Sequence, residues 1–208
     1  MSQDLIIKRI SWNSSGRLLN ARHTSLKRIT SYYQNKFIMV NQTLWLNRKW
    51  EFNFDAGMFP IIYSRLQGAI PRLQQIFAKA DEAKSGVSKN GWSAKEHLGH
   101  LYDLEELWWN RWEDYKNKKE ILTAADITNR RTSEANHNAK TINGLISSFN
   151  IEREKILNSI YSCDEEMLNR TSLHPRLKSP MRLVDYLYFV AEHDDHHIAA
   201  IMQLLHDQ

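Results

Sequence analysis

This sequence lacks most of the features that mark a special class. Among 208 residues it has a single cysteine, Cys163, so no internal disulfide can form, and a reducing, cytoplasmic setting fits better than a secreted one. Seven glycines and four prolines leave little room for collagen-like or long disordered tracts. No apolar run approaches the roughly 20 residues that a membrane crossing needs, because charges break the longest candidate, "YLYFVAEHDDHH". A glycine-rich phosphate loop, a redox cysteine pair and nucleic-acid motifs are also missing, so neither a nucleotide cofactor nor a nucleic-acid partner is expected.

Acidic residues are scarce at the start. Residues 1–38 carry Lys8, Arg9, Arg17, Arg22, Lys27, Arg28 and Lys36 against Asp4 alone, a net +6; the chain total is +4, which leaves −2 for the remainder. The pI near 9.1 therefore belongs to this segment and not to the body. Three readings compete for it: an organellar transit peptide, a basic arm for nucleic acid, or upstream sequence translated from a start placed too early, with Met39 as the true start. The last is preferred, since "MVNQTLWLNRKWEFNF" opens a coherent stretch and nothing before it is patterned to pack; a disordered tail predicts the same structure. The expected organisation is a disordered extension, 1–38, and one domain, 39–208, large enough to bury a core without metal or disulfide staples.

Within that domain the periodicity is helical. Helix signals begin at Phe59 and restart at Pro71, which predicts a long first helix broken near Gly68. Ser93 and Glu96 form a capping-box pattern that opens a second helix through "HLGHLYDLEELWWNRWEDYKN". A polar link leads to a third helix, where Ile142, Leu145, Ile146, Phe149, Ile156 and Ile160 keep a helical period. After "LHPRLKSPM", whose prolines stop helix formation, a fourth runs from about Leu183 to Leu205. No useful strand alternation is present. The fold class predicted is all-α: a four-helix bundle with a long connection between helices two and three.

The chemistry concentrates in "AEHDDHHIAAI". Val190, His193, His197, Ile201 and Leu204 follow a core-facing stripe. On a helix, residues four apart rise about 6 Å on one face and can share an ion, whereas on a strand they would stand roughly 13 Å apart. Two histidines seldom hold a divalent ion firmly, so a third must come from another helix, and "EHLGHL" offers His97 and His100. Three neutral imidazoles with an open position make a catalytic type of site, and Glu96, Glu192 and Asp194 are candidates to orient the rings. Against this, an i, i+4 histidine pair is a weak pattern by itself in a chain with nine histidines. The run "WWNRW" reads as core and interface packing, and His174 reads as a loop residue, with a role at the pocket mouth as the lesser reading. The repeated Glu-x-x-His of di-iron bundles is absent.

These stretches, with "RLQGAIPRL", "GWSAKEHLGHLYDLEELW", "HPRL" and "LYFVAEHDDHHIAAI", resemble the DinB-like superfamily of small metal-binding four-helix proteins, from about Trp45 to the C-terminus. Trp92, Ser93 and His100 take the positions of one family motif, and His193 and His197 those of its C-terminal H-x-x-x-H. The resemblance implies a metal site at His100, His193 and His197, with His100 preferred over His97, and one divalent ion, zinc or nickel. Arg182 stands where relatives often have a threonine cap, which puts the start of the last helix in question.

Relatives of this kind include thiol-dependent S-transferases, mycothiol-dependent isomerases and metal-dependent hydrolases. The first expectation is a transferase that presents a bacillithiol-type small-molecule thiol to an electrophile substrate. The second is a hydrolase in which Asp194 or Glu96 acts as general base on ion-bound water. The third is a non-catalytic, stress-associated bundle tied by its metal, as a homodimer. Neither a nucleic acid nor a membrane is an expected partner.

Overall fold

A computed structural model describes residues 40–206. The fold set out below is that of the unit Gln42–Gln208; segment 1–38 and Met39 lie outside the described residues. Four helical rods dominate: α1 (Phe59–Phe77), the consecutive pair α2 (Ala94–Asp103) and α3 (Glu105–Lys116), α5 (Ile142–Ile160), and α7 (Leu183–His206). Short helices α4 (Arg130–Glu134) and α6 (Glu165–Leu168) lie in the connections. A hairpin of β1 (Thr171–His174) and β2 (Ser179–Arg182) precedes α7.

Each rod forms for a local reason. The capping box is present at the start of α2: Ser93 Oγ accepts from the Glu96 N–H at 3.1 Å, and Glu96 Oε2 accepts from the Ser93 N–H at 2.8 Å. Thr141 caps α5 by accepting from the Gly144 N–H. At α7 the Arg182 N–H donates to Asp185 Oδ2 at 2.9 Å, and the same carboxylate receives the Arg182 guanidinium. The helix therefore opens at Leu183 without a threonine before it.

Three local expectations need correction. Helix α1 runs unbroken through Gly68 and Pro71. Its buried residues Leu66, Ala69, Ile70 and Leu73 flank the proline on both sides, and their packing outweighs the one backbone bond that Pro71 cannot make. The second rod is interrupted at Leu104, whose N–H is shared between the carbonyls of His100 and Tyr102, so α2 and α3 are separate helices. The hairpin was not expected. Its strands are four residues long and contain Pro180, too short to show a period of two; register comes from the pairs Thr171 with Arg182 and His174 with Ser179, and from a turn closed by the Lys178 N–H on the His174 carbonyl.

Contacts step in opposite directions along the second rod and α7: His97 meets His197, Trp108 meets Tyr186, and the Tyr115 hydroxyl donates to the Met181 carbonyl. The two are therefore antiparallel. Two apolar clusters fill the bundle, one around Ile62, Leu66, Tyr115, Ile160 and Leu187, the other around Leu73, Leu98, Leu101, Phe149 and Ile201. Before α1 the alternate residues Trp50, Phe52 and Phe54 lie as a strap against Tyr188 and Phe189 of α7.

At the centre of the bundle is an ionic knot. Arg153 of α5 is 1% exposed and donates to both carboxylate oxygens of Glu105 and to both of Asp194. A fifth bond reaches the Leu66 carbonyl at 3.4 Å. Two carboxylates share one cation, so the cluster carries an excess negative charge in a dry interior. Burial accordingly pushes Glu105 up to about 7 and raises Asp194, while the same two carboxylates keep the guanidinium charged against its own burial.

Candidate metal centre

The site forms where α2 and α7 face each other. His193 and His197, one turn apart on α7, bring their Nε2 atoms within 3.1 Å, and His100 enters from α2. One nitrogen from each of the three lies within 4.8 Å of the others, and all three residues are buried. His97, the alternative third ligand, sits beside the triad with its Nδ1 2.8 Å from His197 Nδ1.

Hydrogen bonding sets the ring orientations. His100 Nδ1 is 3.0 Å from the Thr132 hydroxyl, which donates to Asp103 Oδ2 at 2.9 Å. The same Asp103 oxygen is 2.7 Å from His137 Nε2. His100 and His197 thus both commit Nδ1 to a neighbouring side chain, which turns Nε2 toward the shared centre. His193 Nδ1 is buried with no hydrogen-bond partner. Burial lowers His97 and His100 to about 4 and takes His193 and His197 well below the usual histidine range. The imidazoles are neutral at pH 7, with lone pairs available.

That donor set suits a divalent transition metal. A nitrogen separation near 3 Å between His193 and His197 matches two bonds of about 2.0–2.1 Å to one ion, and an ion held by three imidazoles would keep a position for water or a substrate group. Nitrogen ligands of this kind accept several first-row ions.

Aromatic rings enclose the triad. Trp92 lies 4.6 Å from His100, Trp108 5.5 Å from His193, and Trp45 4.9 Å from His193, all between centroids. A cavity of about 560 Å³ opens from the triad between Trp45, Trp92, Trp108 and Phe189. His174, expected in a loop, ends β1; it is buried and lines this cavity against Phe189. Burial and the neighbouring Arg111 and Arg176 push it down to about 3.

The carboxylates proposed from sequence sit elsewhere. Glu96 is engaged in the capping box, Glu192 pairs with Arg48 and Arg65, and Asp194 is held by Arg153. The group that orients His100 is Asp103, acting through Thr132. Asp103 follows His100 by three residues on α2, a spacing that could have flagged it. Thr132 and His137 arrive from the α3–α5 connection, where no periodicity singles them out.

Gly99 is what admits His137. A Cβ there would fall 2.2 Å from His137 Cγ, whereas at Gly68 it would meet nothing within 4 Å. We expect Gly99→Ala to displace the ring from Asp103 and cost about 1–3 kcal/mol by overpacking, read as a lower urea midpoint. Gly68→Ala should be neutral or gain roughly 0.5–1 kcal/mol from helix propensity. Equal midpoints for the two variants would refute the close packing of His137 on α2.

A sequence model described as the DinB superfamily matches residues 61–201, more than half of the chain and including all three histidines. The chain belongs to the DinB superfamily. Among solved structures, this DinB protein is similar to YfiT from Bacillus subtilis, described as a probable metal-dependent hydrolase with an unusual four-helix bundle topology. The TM-score is 0.67 at 16% identity, over 76% of this chain and 91% of that one. It is also similar to a mycothiol-dependent maleylpyruvate isomerase, at TM-score 0.56 and 10% identity, over 70% of this chain and 62% of the other. These likenesses show a four-helix-bundle fold. No curated protein matches the sequence. Among the described residues no helix is long and apolar enough to cross a membrane.

Proposed function

We propose that this DinB protein is a metal-dependent enzyme that uses one divalent ion at His100, His193 and His197 to transfer a low-molecular-weight thiol to an electrophile. When bound, the ion supplies a positive charge that lowers the pKa of the thiol and favours the thiolate at neutral pH. The protein's own residues hold and shield that chemistry. Thr132 and Asp103 fix the His100 ring, His97 fixes His197, and the tryptophans exclude bulk water from the reacting groups. The thiol proton leaves to solvent, a sulfur–carbon bond forms, and the electrophile's leaving group departs with the electron pair of its broken bond.

One observation favours a thiol over water as the nucleophile: the carboxylates around the site are already engaged. Glu96 and Asp194 are committed as described, and Asp126, on the cavity wall, accepts from the Thr128 hydroxyl and the backbone N–H groups of Thr128 and Arg130. A hydrolase in which Asp194 or Glu96 takes the proton from ion-bound water would need that carboxylate free; a thiolate attacks without one. The hydrolase reading is supported by the likeness to YfiT and stands second.

The test is turnover by zinc- or nickel-loaded protein with bacillithiol or cysteine and 1-chloro-2,4-dinitrobenzene, alongside thiol-free 4-nitrophenyl acetate. Metal-linked, thiol-dependent conjugation is expected. Ester hydrolysis without thiol would replace the transferase with the hydrolase, and no turnover in either assay would leave a metal-tied bundle with no catalytic role.

A further inference from the structure

The wall of this cavity carries two guanidinium groups, Arg111 buried and Arg176 half-buried, that are not ion-paired with a carboxylate among the described residues. Arg111 is 2% exposed; its Nε donates to the Thr123 carbonyl at 2.8 Å, and its Nη1 lies 3.3 Å from His174 Nε2. The carboxylate whose charge reaches it, Asp114, is already held by Lys119 and the Thr123 N–H. Arg176, from the turn of the hairpin, has a buried Nη2 with no hydrogen-bond partner. Among the described residues neither guanidinium is in an ion pair. Lys178, which is exposed, adds a third cation at the rim, and Asp126, the acid there, is occupied by its own turn. A buried cation without a counter-charge is costly, and the cost is recovered when an anion arrives.

We propose that Arg111 and Arg176 form a carboxylate subsite, so that the substrate is a carboxylic acid with an apolar body. The distances fit a single small molecule. Arg111 lies over the Trp108 ring at 5.9 Å, and Trp108 touches His193; Arg176 lies over Phe189 at 6.0 Å, and Phe189 reaches His193 through Trp45. Each guanidinium is thus separated from the histidines by aromatic rings, with Leu104, Leu107 and Ile127 lining the same cavity. A carboxylate at the arginines would lay its apolar body along these side chains and point its far end at the metal centre. Guanidinium groups match the planar, two-oxygen geometry of a carboxylate. The inference rests on the metal-dependent reading only for which end of the molecule reacts.

The test is calorimetric titration with 4-phenylbutyrate, its alcohol 4-phenylbutan-1-ol, and phenylphosphonate, using zinc-loaded wild type and metal-free His193→Ala, each with and without Arg176→Gln. The acid should bind at least about 10-fold tighter than the alcohol in both backgrounds, a preference lost in Arg176→Gln and partly kept in Arg176→Lys. Equal binding of acid and alcohol by wild type that holds about one ion per chain would overturn the subsite and leave the metal reading standing. An Arg176-dependent preference in wild type that binds no ion would support the subsite while the metal reading fails. Tighter Arg176-dependent binding of phenylphosphonate than of the acid would overturn the carboxylate assignment.

Discussion

Arg153→Met is expected to lower the stability of this DinB protein by roughly 3–5 kcal/mol at pH 8, the range for removing one partner of a buried ion cluster. Arg153 is the one cation that Glu105 on α3 and Asp194 on α7 share, and a further bond reaches α1 through the Leu66 carbonyl. Without it, two carboxylates remain in the interior between the two apolar clusters. They can stay buried only by taking up protons, so their folded pKa values, already raised by burial, rise further above the unfolded values. For an acid with a raised folded pKa, stability is fully present below the unfolded pKa and is lost as pH rises through the folded one. The stability gap between variant and wild type should therefore narrow from pH 8 to pH 5. The histidines act in the opposite direction. With His97 and His100 held near 4, stability is lost as pH falls below their unfolded values, but this is common to both proteins and cancels in the difference. Urea midpoints at the two pH values read it directly. A gap under about 1 kcal/mol at pH 8, or one that widens toward pH 5, would show that Arg153 is not the counter-charge of a buried pair.

His193→Ala and His100→Ala should each abolish stoichiometric metal binding. Elemental mass spectrometry of the wild type is expected to find about one zinc or nickel per chain, and both variants should be essentially metal-free, because two imidazoles seldom hold a divalent ion firmly. The linked effect is thermal. An ion present at about 100 times its Kd adds about 2.7 kcal/mol, roughly 5–10 °C in Tm for a chain of this size, and that rise on adding zinc should vanish in both variants. His97→Ala tests a different role, since His97 faces His197 Nδ1. It should keep the ion with weaker affinity, by about 10- to 100-fold for a lost ring-orienting partner. Wild type that stays metal-free after incubation with both ions would remove the metal-dependent reading altogether.

Much of this molecule is legible in its sequence because helices write their own pattern. Ser93 and Glu96 announce the start of α2 through bonds closed within four residues. The stripe at Ile142, Leu145, Ile146 and Phe149 announces the buried face of α5. His193 and His197 show as a pair because one helical turn places both rings on one face, a matter of local geometry alone. That same locality explains the misreadings. Pro71 predicts a break by a local rule, but the helix is held on both sides of it by packing against other elements. The hairpin pairs residues across a turn in strands too short to carry a period.

What only the tertiary structure decided is what depends on distant segments meeting. Asp194 reads, with Glu96 and Glu192, as an acid placed to orient the ligand rings, yet on α7 it points at Arg153, a residue 41 positions away. Thr132 and His137 acquire their place beside His100 and Asp103 because the α3–α5 connection folds back onto α2, where Gly99 leaves room for an imidazole. Arg111 and Arg176 come to one cavity wall from α3 and from a hairpin turn. Helical periodicity and capping are short-range and appear in sequence as spacing. Charge pairing in a dry core and convergence on a cavity are long-range, and they exist only once the packed bundle has set which side chains share a low-dielectric space.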